Sequence, residues 1–284
     1  MTDTPTHWTQ FGSLYDLQDP RPYFRGVATA DYRMPSVAAD LIKRLAPLLT
    51  ARPRPSGNGG LGLNAIDFAC GYGAVGTCLR RNMTMADLCE YYSRDGDPEQ
   101  DRDRLPPIDV SRRGLIGIAG IDIAGVALQY AIKTGACDHV FATDVLSDRI
   151  SGDLAEHILS ADLIVESGAL GHLVAPAMSN LLAVGGRPWL VICPRPRIDV
   201  SAIADAIAPQ GYVLHTIATK VRYRRPFSDG ELQDEIQEAA AHSLPEADVL
   251  TNGYFRVDLR LALPREETIE PVHSALADWD HDGI

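Results

Sequence analysis

The sequence has little that would staple it covalently or through metal. Its five cysteines, Cys70, Cys78, Cys89, Cys137 and Cys193, are an odd number with no CxxC or Cys/His ligand spacing. That excludes a zinc ribbon and argues for reduced thiols in a cytoplasmic protein rather than a disulfide framework; no metal is expected. No apolar run is long enough to span a bilayer, and the polar opening MTDTPTHWTQ is not a signal peptide. Positive charge is scarce: 26 Lys and Arg stand against 38 Asp and Glu, a formal net charge of −12. This argues against a broad basic face, so neither nucleic acid nor membrane is expected as a partner. A homodimer is a possible assembly. Internal repeats and heptads are lacking too.

What is present is a chain of 284 residues, 45% hydrophobic, long enough for one large domain with appendages. Its organising stretch is Ala65-Ile66-Asp67-Phe68-Ala69-Cys70-Gly71-Tyr72-Gly73. An apolar run ends in an acid, two glycines follow, and a helical pattern resumes at Ala74. That is a buried strand turning tightly into a helix, with glycine where the backbone bends or meets a ligand. The free N–H groups of such a helix start suit a polar or anionic group.

Before this stretch, residues 1–60 form an arm. Its first part is rich in aromatics, prolines and charges: Trp8, Phe11, Tyr15, Arg21, Tyr23, Arg25, Tyr32 and Arg33. It reads as packing or as a lid over a ligand site. Val37, Leu41, Ile42, Leu45 and Leu49 then mark one buried face of a helix. Arg52 to Gly60, with two prolines and three glycines, reads as a flexible linker.

The main domain spans 61–264. After the glycine turn a helix runs to about Arg81, and Thr84 with Asp87 makes a capping pair for another. The charged segment within 81–113 reads as a solvated insertion. Further strands end at Asp122, Asp144, Glu166 and Cys193, each followed by a helical pattern; the helix from Gly125 closes at Gly135. Continuous apolar strands alternating with helices predict a doubly wound α/β fold with a mostly parallel sheet. Asp67, Asp122, Asp144 and Glu166 all fall at strand C-termini, the edge where such sheets bind ligands. Two late strand-like runs, Gly211–Tyr223 and Gly253–Leu263, flank a second insertion at about 226–250 with a helical pattern from Asp229 to His242. They predict an antiparallel edge. Residues 265–284 read as a mobile acidic tail.

The element order, Asp67-x-x-x-Gly71-x-Gly73 and the later Gly117-Ile118-Ala119-Gly120-Ile121-Asp122-Ile123 resemble the class I S-adenosylmethionine (SAM)-dependent methyltransferases over about residues 62–263. The resemblance implies a seven-stranded, Rossmann-like sheet with an antiparallel last strand, and SAM as cofactor. Ala69, Gly71 and Gly73 would then approach its methionine part above Asp67. Asp122 would accept the ribose hydroxyls, Ile123 would pack on adenine, and Asp144 with Val145 would contact the adenine edge. Glu166 and Ser167 would lie where substrate and methyl donor meet. Two departures stand out. The distance from Gly73 to Asp122 far exceeds the roughly 20 residues usual between such a turn and its acid. The fourth strand also lacks the Asn/Asp-Pro-Pro-aromatic motif of enzymes that methylate planar amines in macromolecules, which points to a small-molecule acceptor.

Methyl transfer from a sulfonium needs alignment and exclusion of water, and a base only where the acceptor keeps a proton. His172, six residues past Glu166, is the candidate base; a helix cap or core histidine is the alternative. Tyr23, Tyr32, Arg33 and Arg195 are the candidate lid and substrate contacts. Arg222, Arg224 and Arg225 read as a solvated basic turn or an acidic-substrate contact. The expected activity is therefore methylation of an oxygen or nitrogen of a small metabolite. The rival readings are a SAM-binding protein that uses the cofactor for other chemistry or sensing, and an NAD-dependent oxidoreductase, since Gly71, Gly73 and Gly76 also satisfy GxGxxG.

Overall fold

The structure, a computed structural model, describes residues 8–53, 62–109, 116–168, 171–196, 198–241 and 249–283. Seven strands form one sheet: β1 (Leu63–Phe68), β2 (Ile116–Asp122), β3 (His139–Ala142), β4 (Leu163–Glu166), β5 (Trp189–Ile192), β6 (Tyr212–Arg224) and β7 (Phe255–Pro264). Their spatial order is β3-β2-β1-β4-β5-β7-β6. The first five pair in parallel, whereas β7 runs antiparallel to both β5 and β6. Chain progression reverses on either side of β1, so the switch point lies at the end of β1 between β2 and β4.

Side chains alternate across the sheet and feed two apolar layers. Leu63 and Ala65 face one cluster, while Ile66 and Phe68 face the other. The first layer is covered by α1 (Arg21–Thr29), α2 (Met34–Ala51), α3 (Ala74–Arg81), α4 (Met85–Ser93) and, beyond the four-residue α5 (Asp101–Arg104), α6 (Gly125–Thr134). The second is covered by α7 (Gly152–Ser160), α8 (Val174–Ala183) and α9 (Val200–Ile207). On α2, Val37, Leu41, Ile42, Leu45 and Leu49 are each at most 1% exposed. Burial of each such side chain stabilises by about 1.5–3 kcal/mol. Local signals act where the residue types place them. Thr84 and Asp87 form a capping box on α4, and Gly135, at φ 75°, closes α6. The second insertion carries α10 (Asp229–Ala241), and β6 pairs with β7 through three register shifts.

Three segments depart from the sequence reading. The first insertion is not merely solvated: Asp101 is fully buried and Leu105 is 3% exposed. Arg52, at the start of the expected linker, is anchored by Glu267 (2.5 Å) and the Arg187 carbonyl (2.8 Å); 54–60 lie outside the described residues. The acidic tail packs back through α11 (Glu270–Ala275), with Val272 fully buried and the Trp279 Nε1–H donating to Asp40 at 2.8 Å. Acidity alone suggested mobility; Val272, Leu276 and Trp279 supply the apolar contacts that oppose it.

Candidate active site at the switch point

β1 ends in the turn that positions the site. Ala69 takes φ 57°, an unusual conformation for a residue with a β-carbon, and Gly71 and Gly73 follow at φ 51° and 74°. Gly76 serves packing rather than a ligand: a β-carbon there would fall 2.2 Å from the Ala136 carbonyl oxygen. The turn is tied to the neighbouring strand by Asp122. One carboxylate oxygen accepts the Gly71 N–H at 2.8 Å and the other the Ala124 N–H at 2.9 Å. Each oxygen retains a lone pair for a further donor. Next to it, Ile123 is 75% exposed, an apolar side chain held open at the sheet's C-terminal edge.

Beneath the turn lies Asp67. It is 1% exposed, and neither carboxyl oxygen has a hydrogen-bond partner among the described residues. Burial, with Asp122 and Glu166 nearby, holds its carboxyl well above the ordinary carboxylate range. On the far side of β1, Glu166 is fully buried and accepts the Gly168 N–H at 2.9 Å. The β1 register, Phe68 opposite both Ile121 and Glu166, is what gathers these acids at one edge.

Asp144 sits just past β3 rather than within it. Hydrogen bonds from the Leu146 N–H (2.9 Å) and the Ser147 hydroxyl (2.8 Å) lower its pKa below the usual value. Val145 is buried, 4% exposed, and its carbonyl accepts from Asn180, so it is a core residue beneath this loop rather than an open contact. His172, in the 3₁₀ turn Gly171–Leu173, is exposed; it is neither a core residue nor a helix N-cap, since Leu173 holds that position.

The arm brings aromatic rings to this edge. Tyr15, in the 3₁₀ helix Trp8–Asp16, lies against Gly71 and stacks on Tyr72 with ring centroids 5.7 Å apart. Tyr23 meets Tyr15 at 4.9 Å, and Tyr72 donates its hydroxyl to the Leu14 carbonyl at 2.5 Å. Tyr32 donates to the Ser167 carbonyl (2.5 Å) and Tyr223 to the Gly168 carbonyl (3.0 Å), their rings 5.5 Å apart. Phe11 contacts Tyr23 and also Phe227 of the second insertion. Burial raises the Tyr15 and Tyr32 hydroxyls well above their usual pKa, and Tyr223 to about 12.

Thus Asp67, Ala69, Gly71, Gly73, Asp122, Ile123, Glu166, Ser167, Tyr23 and Tyr32 share the switch-point region. Arg33 instead pairs with Asp31 at 2.9 Å. Arg21 and Arg25 turn away from the site toward Asp101 and Asp95. Arg195 lies beside Gly171, with one guanidinium nitrogen 3.4 Å from where a β-carbon would stand. Arg224 is a buried partner of Glu231 and so is not part of a solvated turn, whereas Arg225 is exposed and donates to the Tyr254 hydroxyl at 3.0 Å. Sequence reasoning gave Tyr72 no site role, named Tyr15 only among the aromatics of the arm and Tyr223 only within a basic run. The spacing of Phe11, Leu14 and Tyr15 on one arm segment was the available signal for Tyr15.

A nucleotide-binding sheet of the 3-2-1-4-5-6 order has no antiparallel strand between its fifth and sixth positions; here β7 occupies that place. The fold is that of the class I SAM-dependent methyltransferases. The sequence matches no family model and no curated protein. Among solved structures it is similar to a TehB-like SAM-dependent methyltransferase from Corynebacterium glutamicum, at 16% identity over 79% of this chain and 86% of that one, TM-score 0.40. Magnesium protoporphyrin IX methyltransferase from Synechocystis, with bound SAH, gives 12% identity, 80% and 83% coverage and a TM-score of 0.38. A sugar N-methyltransferase from Streptoalloteichus gives 11%, 81% and 87%, with a TM-score of 0.42. The fold assignment rests on strand order and pairing.

Proposed function

We propose that the protein binds SAM at this switch point and transfers its methyl group to an oxygen or nitrogen of a small-molecule metabolite. The observation that carries the reading is the Asp67–Gly71–Asp122 arrangement. A buried carboxyl with no partner among the described residues lies below a glycine turn, and a second carboxylate holds that turn with lone pairs to spare. An orphaned buried acid suits a donor-bearing cation, Asp122 suits vicinal hydroxyls, and exposed Ile123 suits a planar base. When bound, SAM supplies a methyl group on a sulfonium. The chain's part is to orient the donor through the turn and Asp122 and to exclude water with the tyrosines of the arm.

A small acceptor is supported by the cover over the edge, where Phe11 of the arm meets Phe227 of the second insertion at 4.9 Å. Tyr23, Tyr32 and Arg195 would line the acceptor side. His172 is exposed near the end of β4, where an acceptor proton could reach it. Titration of the protein with SAM, SAH and NAD, followed by thermal shift, tests the cofactor, because a ligand stabilises the state that binds it. Stabilisation by NAD alone would end the reading. Labelled methyl transfer into a metabolite extract tests the activity, and binding without transfer would favour a sensor.

A further inference from the structure

The first insertion has no part in the reading above, yet one of its fully buried residues is a carboxylate. Asp101, the first residue of α5, is 0% exposed. Its oxygens accept Arg21 Nη1 at 3.2 Å and Nη2 at 2.7 Å, the Tyr91 hydroxyl at 2.9 Å and the Tyr130 hydroxyl at 2.7 Å. Arg21, 3% exposed, also donates Nε–H to the Arg94 carbonyl at 3.2 Å and Nη1 to Asp19 at 2.8 Å. A β-carbon on Gly96 would fall 2.5 Å from Arg21 Nη2, so the insertion closes tightly over the guanidinium. Tyr130 comes from α6 and Tyr91 from α4. Four donors from the arm, α4 and α6 therefore converge on one carboxylate supplied by the insertion.

A buried ion pair adds little net stability over apolar packing, but its directional bonds admit one geometry. That geometry bears on the site. Arg21 opens α1, Tyr23 lies two residues on, and Tyr23 packs on Tyr15, which lies against Gly71. We propose that Asp101 and Arg21 are positioning residues, and that the insertion is the seat on which the arm is clamped over the glycine turn. Loss of the clamp lowers the fraction of molecules with the arm seated, and the apparent affinity for a ligand of the crevice falls by the same factor. The effect on SAM rests on the function proposed above; the clamp itself does not.

The test uses the full chain with Asp101→Asn, Arg21→Lys and Tyr130→Phe. Hydrogen exchange of the ligand-free protein reads the clamp, and calorimetric titration with SAH reads its consequence. Exchange in residues 8–30 is expected to rise in every folded variant, most in Asp101→Asn, while β1 and β2 keep their protection. The SAH dissociation constant is expected to rise about tenfold in Asp101→Asn, as when one molecule in ten has its arm seated. Should Asp101→Asn not fold, the two milder variants carry the test with the same direction. Exchange that is unchanged in the arm, or raised evenly across the sheet, overturns the clamp. Raised arm exchange with unchanged SAH affinity overturns its bearing on the site. A wild-type protein that binds neither SAM nor SAH sinks the methyltransferase reading and leaves the exchange result to judge the clamp.

Discussion

The Tyr15 ring lies across Gly71 so closely that a β-carbon built on the glycine would fall 2.4 Å from Tyr15 Cε1. Gly71 also holds φ 51° and gives its N–H to Asp122. Gly71→Ala therefore meets two penalties: a left-handed conformation costing about 1–3 kcal/mol and displacement of the arm. We expect SAM affinity to fall by at least about tenfold, equivalent to roughly 1.4 kcal/mol, with far-ultraviolet dichroism unchanged. Calorimetric titration checks this, and an unaltered dissociation constant would separate the arm from the ligand.

Asp67 makes the ligand-free protein pH-sensitive in a direction opposite to most carboxylates. Its folded pKa is raised, by burial first and then by Asp122 and Glu166. Above the ordinary unfolded pKa of about 4, the folded chain holds a proton that the unfolded chain has released, so this group's contribution falls as pH rises. Asp67→Asn removes that dependence. The variant should gain stability relative to wild type as pH is raised from about 4 to about 8, and gain nothing below about 4. Urea denaturation across that range, without ligand, measures the difference; parallel curves would mean that Asp67 is ionised and solvated.

The sheet was legible because its signals are local and repeated: apolar runs ending in acids, glycines at turns, and two late alternating runs. The cofactor-side residues were legible for the same reason, since register alone brings Asp67, Asp122 and Glu166 to one edge. The arm and insertion were not. Arg21 and Asp101 are 80 residues apart, and each alone resembles a solvated charge. Only tertiary pairing turns two surface-like residues into a buried contact. The contacts of Tyr15 with Gly71 and of Tyr223 with Gly168 were not legible either, because a ring's neighbours are set by packing, which periodicity does not encode.

Asp122→Asn should weaken SAM binding more than it weakens the fold. The amide keeps an acceptor for one of the two N–H groups from Gly71 and Ala124. Its nitrogen faces the other, and capacity to accept two hydroxyls is gone. A hydrogen bond to a charged group is worth about 1.5–3 kcal/mol, so a loss of about ten- to hundredfold in SAM affinity is expected. Competition with adenosine identifies the part affected: the same fold loss for adenosine places the defect at the sugar, whereas an intact adenosine affinity would remove Asp122 from that role.

Arg224 and Glu231 join the end of β6 to α10 in a pair that is 3% and 1% exposed, each guanidinium nitrogen 2.8 Å from a carboxylate oxygen. Glu231 also accepts the Phe227 N–H at 2.8 Å, and the Arg224 guanidinium lies 4.5 Å from the Phe227 ring centre. Removal of either charge alone breaks this buried pair, which costs about 3–5 kcal/mol. For a domain of this size that corresponds to a fall in Tm of roughly 6–15 °C. The pair Arg44–Asp278 is the contrast: Asp278 is 90% exposed, and solvent screening leaves Asp278→Ala within about 1 °C of wild type. Glu231→Gln should show a second, local effect, because Phe227 meets Phe11 over the site. Limited proteolysis should then cut first near residue 227, ahead of global unfolding. Cleavage that instead tracks Tm at every site would show that this pair stabilises the whole domain rather than the roof of the crevice.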